Sequence, residues 1–167
     1  MHHGKRLTIA PKADVICSQV GALVNMNDFI GREAHGLADG ATFATGKYRF
    51  RCCRTALLPN GWDAGVLFEE TQRTLLCSDL FHHMGDVEKL TSADVAGRSR
   101  EALKQFQAGV LAEYVPYTPI NAQNLKKLAE LKPKTLAIMH GSSFTGDCSQ
   151  ALDDLNVVLR EVFGPRK

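Results

Sequence analysis

Two apolar segments joined by a short polar link constrain the fold of this chain more than any other feature. GVLF at residues 65–68 and TLLC at residues 74–77 have the length and composition of buried strands. The polar EETQR segment leaves room only for a tight connection between them. The second strand is followed almost at once by a carboxylate, Asp79.

The sequence before this pair of strands also predicts β-structure. ATFAT at residues 41–45 and YRFRCCRTALL at residues 48–58 are separated by Gly46-Lys47, a pattern typical of a hairpin. Residues 14–17 predict a short strand, and Ser18 is placed to cap a helix.

The sequence after Asp79 predicts mainly helices. The chain is expected to turn helical directly after this residue, with Thr91 and Asp94 resembling a capping box and a second helical pattern starting at Ser99. Further on, the sequence predicts a helix from Pro119, a buried strand at residues 135–139 and a last helix through residues 148–162. This order indicates a mixed α/β (α+β) fold, and we expect residues 1–167 to form a single domain.

Composition excludes several classes of protein. The chain has 167 residues, of which 44% are hydrophobic, so a packed core is expected. A net charge of +2 is too small to indicate a nucleic-acid partner or an anionic membrane surface. There is no apolar run long enough to cross a bilayer. Five cysteines without a C-x-x-C pattern favour a reduced, cytoplasmic protein over a disulfide framework.

Polar side chains follow two of the predicted strands. Asp79 comes after TLLCS, and His140 comes directly after TLAIM. In layered α/β folds, binding sites collect at such strand ends, because the backbone is rigid there and the loop opens to a ligand. Carboxylate and imidazole both suit a divalent metal. A helix cap at Asp79 and a structural role for His140 remain alternative interpretations.

These segments together resemble a known family. LPNGWDAGVLFEETQRTLLCSDLF with TLAIMHGSS downstream is similar to the second half of metallo-β-lactamase-fold proteins, of the subgroup with flavodiiron and oxygen-binding diiron proteins. APKADVICSQVGALVNMNDF and LADGATF extend the likeness toward the start. The resemblance implies a partial αββα sandwich, mainly its second half, with a dinuclear zinc or iron site at the sheet edges.

The resemblance assigns three positions. Asp79 stands where the family has an aspartate that bridges both metals, and His140 matches its last histidine ligand. The family's middle histidine is replaced here by Asn60, whose amide is a poor ligand for zinc or iron. Leu57 is apolar where close relatives often carry another histidine.

A larger departure concerns the first ligands of the family. The H-x-[HE]-x-D-H cluster is absent, so the chain resembles a truncated member without its first strands and ligand loop. His82 and His83 are expected to be solvated loop residues, of which at most one could point to a metal. Trp62 is expected to be a packing anchor beside the site.

Two functional hypotheses remain open. The first is a metallohydrolase or diiron-type enzyme with an incomplete dinuclear site, acting on an unknown small-molecule substrate. The second is a non-catalytic remnant that serves as a structural or interaction module, with or without a metal. In the second case, loss of the first strands would also expose a sheet edge and an apolar face, and we expect self-association or a homodimer.

Overall fold

The computed structural model describes residues 12–26, 33–59, 61–112, 115 and 117–165, and it forms a mixed α/β fold. The described part opens with a small unit of two strands and a short helix, and continues into a larger sheet whose last strands alternate with three longer helices. The strands are β1 (Ile16–Ser18), β2 (His35–Leu37), β3 (Thr42–Thr45), β4 (Tyr48–Arg54), β5 (Gly65–Glu69), β6 (Thr74–Leu76), β7 (Leu90–Thr91), β8 (Thr135–Ala137) and β9 (Ser143–Thr145). The helices are α1 (Gln19–Gly21), which continues as a π-helical turn Ala22–Met26, α2 (Val95–Gln107), α3 (Pro119–Glu130) and α4 (Cys148–Phe163).

Within the described residues, seven strands form the main sheet, in the order β3-β4-β5-β6-β8-β9-β7. The first four make an antiparallel meander, in which Phe43 pairs with Phe50 and Leu67 with Leu76. Strand β8 then joins parallel to β6, and Leu76 lies opposite Ala137. This parallel pairing brings the ends of β6 and β8 to the same edge of the sheet.

The three long helices cover one face of this sheet. Helix α4 packs against both α2 and α3, and its apolar stripe is buried. The core between helices and sheet is made almost entirely of aliphatic and aromatic side chains. Its fully enclosed members include Leu75, Phe81, Leu125, Leu128, Leu136, Leu152, Leu155 and Val158. The helix layer therefore holds β6 and β8 rigidly from behind.

The opposite face of the sheet is only partly covered. Cys52, Leu67 and Leu76 lie side by side on it, because they pair in register across β4, β5 and β6. Cys52 is buried near the small β1–β2 unit, with a cavity of about 360 Å³ between them, whereas Leu76 is 38% exposed. An apolar strip thus remains open to solvent beside the end of β6.

Several sequence-based expectations about the elements are confirmed. The hairpin of β3 and β4 and the tight link between β5 and β6 are present. In the latter, the Glu69 carboxylate accepts hydrogen bonds from the backbone N–H groups of Thr71 and Gln72, both at 2.7 Å. Helix α3 begins at Pro119 after its cap Thr118, as predicted.

The expected helix directly after Asp79 is wrong. Residues 78–81 form a turn, and the next helix starts only at Val95, with Asp94 as its cap. The Asp94 side chain accepts a hydrogen bond from Gly97 N–H at 2.8 Å, so the helix has one clear start. Ser99 lies inside α2 and begins no second helix. Within the described parts of the chain, none of the helices is long and apolar enough to cross a membrane.

Candidate metal centre

The site is built where the parallel strands β6 and β8 end together. Beyond the last paired residues, Cys77 N–H donates to Ala137 O at 2.9 Å, and Met139 N–H donates to Ser78 O at 3.2 Å. These bonds continue the ladder to the point at which each strand turns into a loop. The two polar residues that follow, Asp79 and His140, are thereby placed side by side.

Asp79 and His140 are in direct contact. His140 Nε2 lies 3.2 Å from Asp79 Oδ1. The Asp79 side chain is 26% exposed and that of His140 is 51% exposed, so the pair lines an open edge rather than a closed pocket. The structure therefore brings together two of the three residues that the family resemblance assigned as metal ligands.

His82 joins this pair. One ligand atom from each of Asp79, His82 and His140 can be chosen so that all three lie within 4.8 Å of one another. The ring of His82 lies 4.9 Å from that of His140, at an angle of 40°. It also packs edge-on against Phe106 of α2, with 5.1 Å between ring centres. Burial and the neighbouring His140 lower the pKa of His82, which favours the neutral imidazole that binds metals.

His83 has a different role from that of its neighbour. It is 4% exposed, so the expectation of a solvated loop residue is wrong for it. Its Nδ1 lies 2.8 Å from Phe81 O, and its Nε2 accepts the Ser142 N–H at 2.8 Å. A carbonyl can only accept, which fixes the proton on Nδ1 and leaves both ring nitrogens engaged. As expected for adjacent residues, the two histidines point in different directions.

The loop after β8 is held from two sides. Besides the bond to the His83 ring, the His140 carbonyl accepts the His83 N–H at 2.9 Å. From the other side, Arg98 of α2 donates to the buried Ser142 Oγ at 3.2 Å and to Glu88 at 2.7 Å. The Arg98 guanidinium lowers the pKa of Glu88 to about 2. These contacts fix the backbone that carries His140.

Asn60, the third residue assigned by resemblance, lies outside the described residues. The backbone just before it is held by α3: Asn121 Nδ2 donates to Leu57 O at 3.3 Å, and Asn124 Nδ2 donates to Ala56 O at 3.1 Å. On the other side, Trp62 is 56% exposed, so the expectation of a packing anchor is wrong. The assignment of Asn60 stays a prediction.

The donor set fits one metal ion. Two imidazoles and one carboxylate match the three protein ligands of many mononuclear zinc and iron sites. A dinuclear centre needs about twice as many ligands, and in the described residues no further histidine, cysteine or acidic side chain joins this cluster. A dinuclear centre therefore does not fit this part of the chain.

Comparison with known proteins gives matches at the level of structure. No family model matches the sequence, and a search of curated proteins finds no match. A mutant flavo di-iron protein from Thermotoga maritima superimposes with a TM-score of 0.68 at 22% identity, over 89% of this chain and 36% of that one. The flavodiiron protein from Giardia intestinalis gives 0.68 at 15% identity, over 95% and 39%.

A smaller protein matches over more of its own length. The chemotaxis sensor ODP from T. denticola, in its apo state, gives a TM-score of 0.67 at 16% identity, over 93% of this chain and 64% of that one. The present chain thus spans about a third of the flavodiiron chains and about two thirds of the sensor. At these identities the likeness concerns the fold. The seven-stranded sheet with its helix layer is part of the metallo-β-lactamase-like fold found in flavodiiron proteins.

Proposed function

We propose that this chain is a metal-binding protein of the metallo-β-lactamase fold. Its metal centre is incomplete, with fewer ligands than the dinuclear site of the family. The observation that carries the proposal is the contact between Asp79 and His140, at 3.2 Å, where two parallel strands end. These are the positions at which the sequence resemblance expects ligands. Zinc and iron are the candidate metals, since flavodiiron neighbours contain iron by name and the donors suit both.

The candidate chemistry is metal-assisted hydrolysis, because the diiron-type reaction of oxygen species that the resemblance also implies needs a dinuclear centre, which the cluster in the described residues does not provide. A bound divalent ion would lower the pKa of a coordinated water to near 7. The protein's own contribution is positioning: Asp79 and His140 bind, while His83 and Arg98 hold the loop that carries His140. A single bound ion suits hydrolysis of a small-molecule substrate better than two-metal chemistry.

A second candidate function is a non-catalytic structural or interaction module. It is favoured by the replacement of the middle histidine by Asn60 and by the open sheet face around Leu76. Met139, just before His140, is also strongly exposed. Apolar surface of this kind supports a homodimer or other self-association. Light scattering at increasing concentration tests this proposal, and a monomer at all concentrations would contradict it.

The cytoplasm is the proposed compartment. All five cysteines are free, and four of them are buried. Burial raises the pKa of the Cys53 thiol to about 11 and that of Cys77 further, so these side chains act as apolar core residues. Free thiols of this kind suit a reducing compartment.

Metal analysis tests the main proposal. The purified chain is loaded with Zn²⁺ or, without oxygen, with Fe²⁺, and bound metal is counted after gel filtration. One metal per chain is expected for the wild type, and a strong loss for Asp79→Asn combined with His140→Ala. Both proteins should have His2 and His3 replaced by alanine, so that the terminal histidine pair adds no binding of its own. If the protein with Asp79 and His140 intact retains no metal, the main proposal is overturned and the non-catalytic interaction module remains as the candidate function.

A further inference from the structure

We infer that His82 is the third protein ligand of this centre, so that Asp79, His82 and His140 form a two-histidine, one-carboxylate site for a single divalent transition metal. The inference rests on the proposed function and deepens it, because it defines how many ions the site holds and which side chain completes it. The local turn after β6, rather than the sheet itself, places His82 beside the other two ligands.

The turn after β6 brings His82 back to Asp79. His82 N–H lies 3.3 Å from Asp79 O and closes the turn. Ser78 and Phe81, the first and last residues of the turn, both have left-handed backbone angles, with φ of 51° and 63°. Such angles cost energy in residues with a side chain and persist only where the surroundings impose them. Here, the Phe81 side chain is buried in the core, which leaves the next residue, His82, on the site side.

The distances allow one ion with a small movement of one ring. Ligands of a zinc or similar ion lie about 2.0–2.2 Å from it, so neighbouring donor atoms are roughly 3 to 3.5 Å apart. Asp79 and His140 already have this spacing, at 3.2 Å. The ligand atoms of all three residues lie within 4.8 Å of one another, so His82 needs to approach by at most about 1.5 Å.

The present partners of His82 permit that movement. Its Nε2 lies 3.3 Å from Met84 Sδ, a thioether on an exposed side chain and a weak hydrogen-bond acceptor. The His82 ring also packs edge-on against Phe106. This contact restricts the orientation of the ring but does not engage a ring nitrogen in a strong hydrogen bond. Metal binding would therefore replace a weak contact.

His83 shows why only one of the paired histidines is available. Both of its ring nitrogens are used, toward Phe81 and Ser142, in the buried interior. Ligation by His83 would break a buried hydrogen bond, whereas ligation by His82 breaks none of this kind. His83 therefore positions the loop, and His82 completes the site.

Binding measurements with a histidine series test the inference. Zn²⁺ affinity is measured by competition with a chromophoric chelator for the parent protein carrying His2→Ala and His3→Ala, and for His82→Ala, His82→Gln and His35→Ala in that background. His35 is the matched control, because it is exposed and lies on β2, outside the cluster. Loss of a direct ligand should weaken binding on the order of 100-fold, since even outer-shell partners cost about 10–100-fold. The His35 variant should bind like the parent.

A spectroscopic readout separates ligation from indirect effects. With Co²⁺ as the probe, both His82 variants should change the d–d absorption bands of the parent, and His35→Ala should leave them unchanged. Melting temperatures in the presence of chelator should be close to that of the parent, because His82 makes few stabilising contacts. Parent affinity and parent spectrum in both His82 variants would overturn the inference and leave the proposed function intact. Absence of binding in the parent would overturn the proposed function itself.

Discussion

Gly141 is the position at which a single methyl group should do most harm to the candidate metal centre. It follows His140 directly and has a φ of 131°, a conformation that residues with a side chain rarely adopt. A Cβ added there would overlap the ring of His83. That ring cannot easily yield, because it is buried and bonded to Phe81 O and Ser142 N.

The cost of Gly141→Ala has two parts. The strained backbone costs about 1–3 kcal/mol. Displacement of the His83 ring leaves the buried Ser142 N–H without its acceptor, at about 1–3 kcal/mol. We expect a total loss of roughly 2–6 kcal/mol in the free energy of unfolding. For a chain of this size, that lowers the melting temperature by about 4–24 °C at 2–4 °C per kcal/mol.

A double-mutant cycle with His83→Ala separates these parts. Urea unfolding is measured for the wild type, Gly141→Ala, His83→Ala and the double variant. Once the ring is removed, Gly141→Ala should cost only the backbone term, which gives a coupling of about 2 kcal/mol. Gly40→Ala is the control for backbone strain alone, since Gly40 has a φ of 78° and an added Cβ would meet no atom within 4 Å. A coupling below about 0.5 kcal/mol would refute the proposed contact between ring and glycine.

Three further predictions concern other parts of the molecule. The pKa of Glu88 is lowered from 4.5 to about 2 by the hydrogen bond from Arg98, so its stabilising effect is present above pH 4.5 and is lost as the pH falls toward 2. Melting curves from pH 6 to pH 2 should therefore fall more steeply for the wild type than for Glu88→Gln, and parallel curves would contradict this. Asn121→Ala should lower the free energy of unfolding, measured in urea, by about 2–4 kcal/mol. The substitution removes a fully buried amide, so Thr118 N–H and Leu57 O lose the hydrogen bonds that they make with it at the start of α3. A loss below about 1 kcal/mol would argue against that role. A thiol reagent at pH 8 should modify the partly exposed Cys17 before the buried Cys53, whose pKa is about 11, and the order can be read by peptide mass mapping.

The strand ends of the site could be predicted from the sequence, because apolar runs that stop at a polar residue are a local signal. Asp79 and His140 are such residues, and their approach follows once β6 and β8 are parallel neighbours. The sequence alone does not contain that pairing. It depends on the helices between the two strands, whose packing is a tertiary effect.

The different roles of His82, at the metal site, and of His83, which holds the loop, were not predictable from a local signal of this kind. It depends on left-handed angles at Ser78 and Phe81, and neither residue type signals such a conformation. The false helix after Asp79 has the same origin, because burial of Phe81 overrides the local preference. Strands β7 and β9 have two and three residues and are too short to leave a periodic pattern.

The parallel contact between β6 and β8 also has a kinetic consequence. Its two strands are separated in the chain by the whole of α2 and α3, so the contact can form only after a long loop has closed. Asp79 and His140 therefore remain apart until the helix layer has assembled. During refolding, the appearance of metal affinity should coincide with the last and slowest phase, and a metal ion added to the unfolded chain should not speed it.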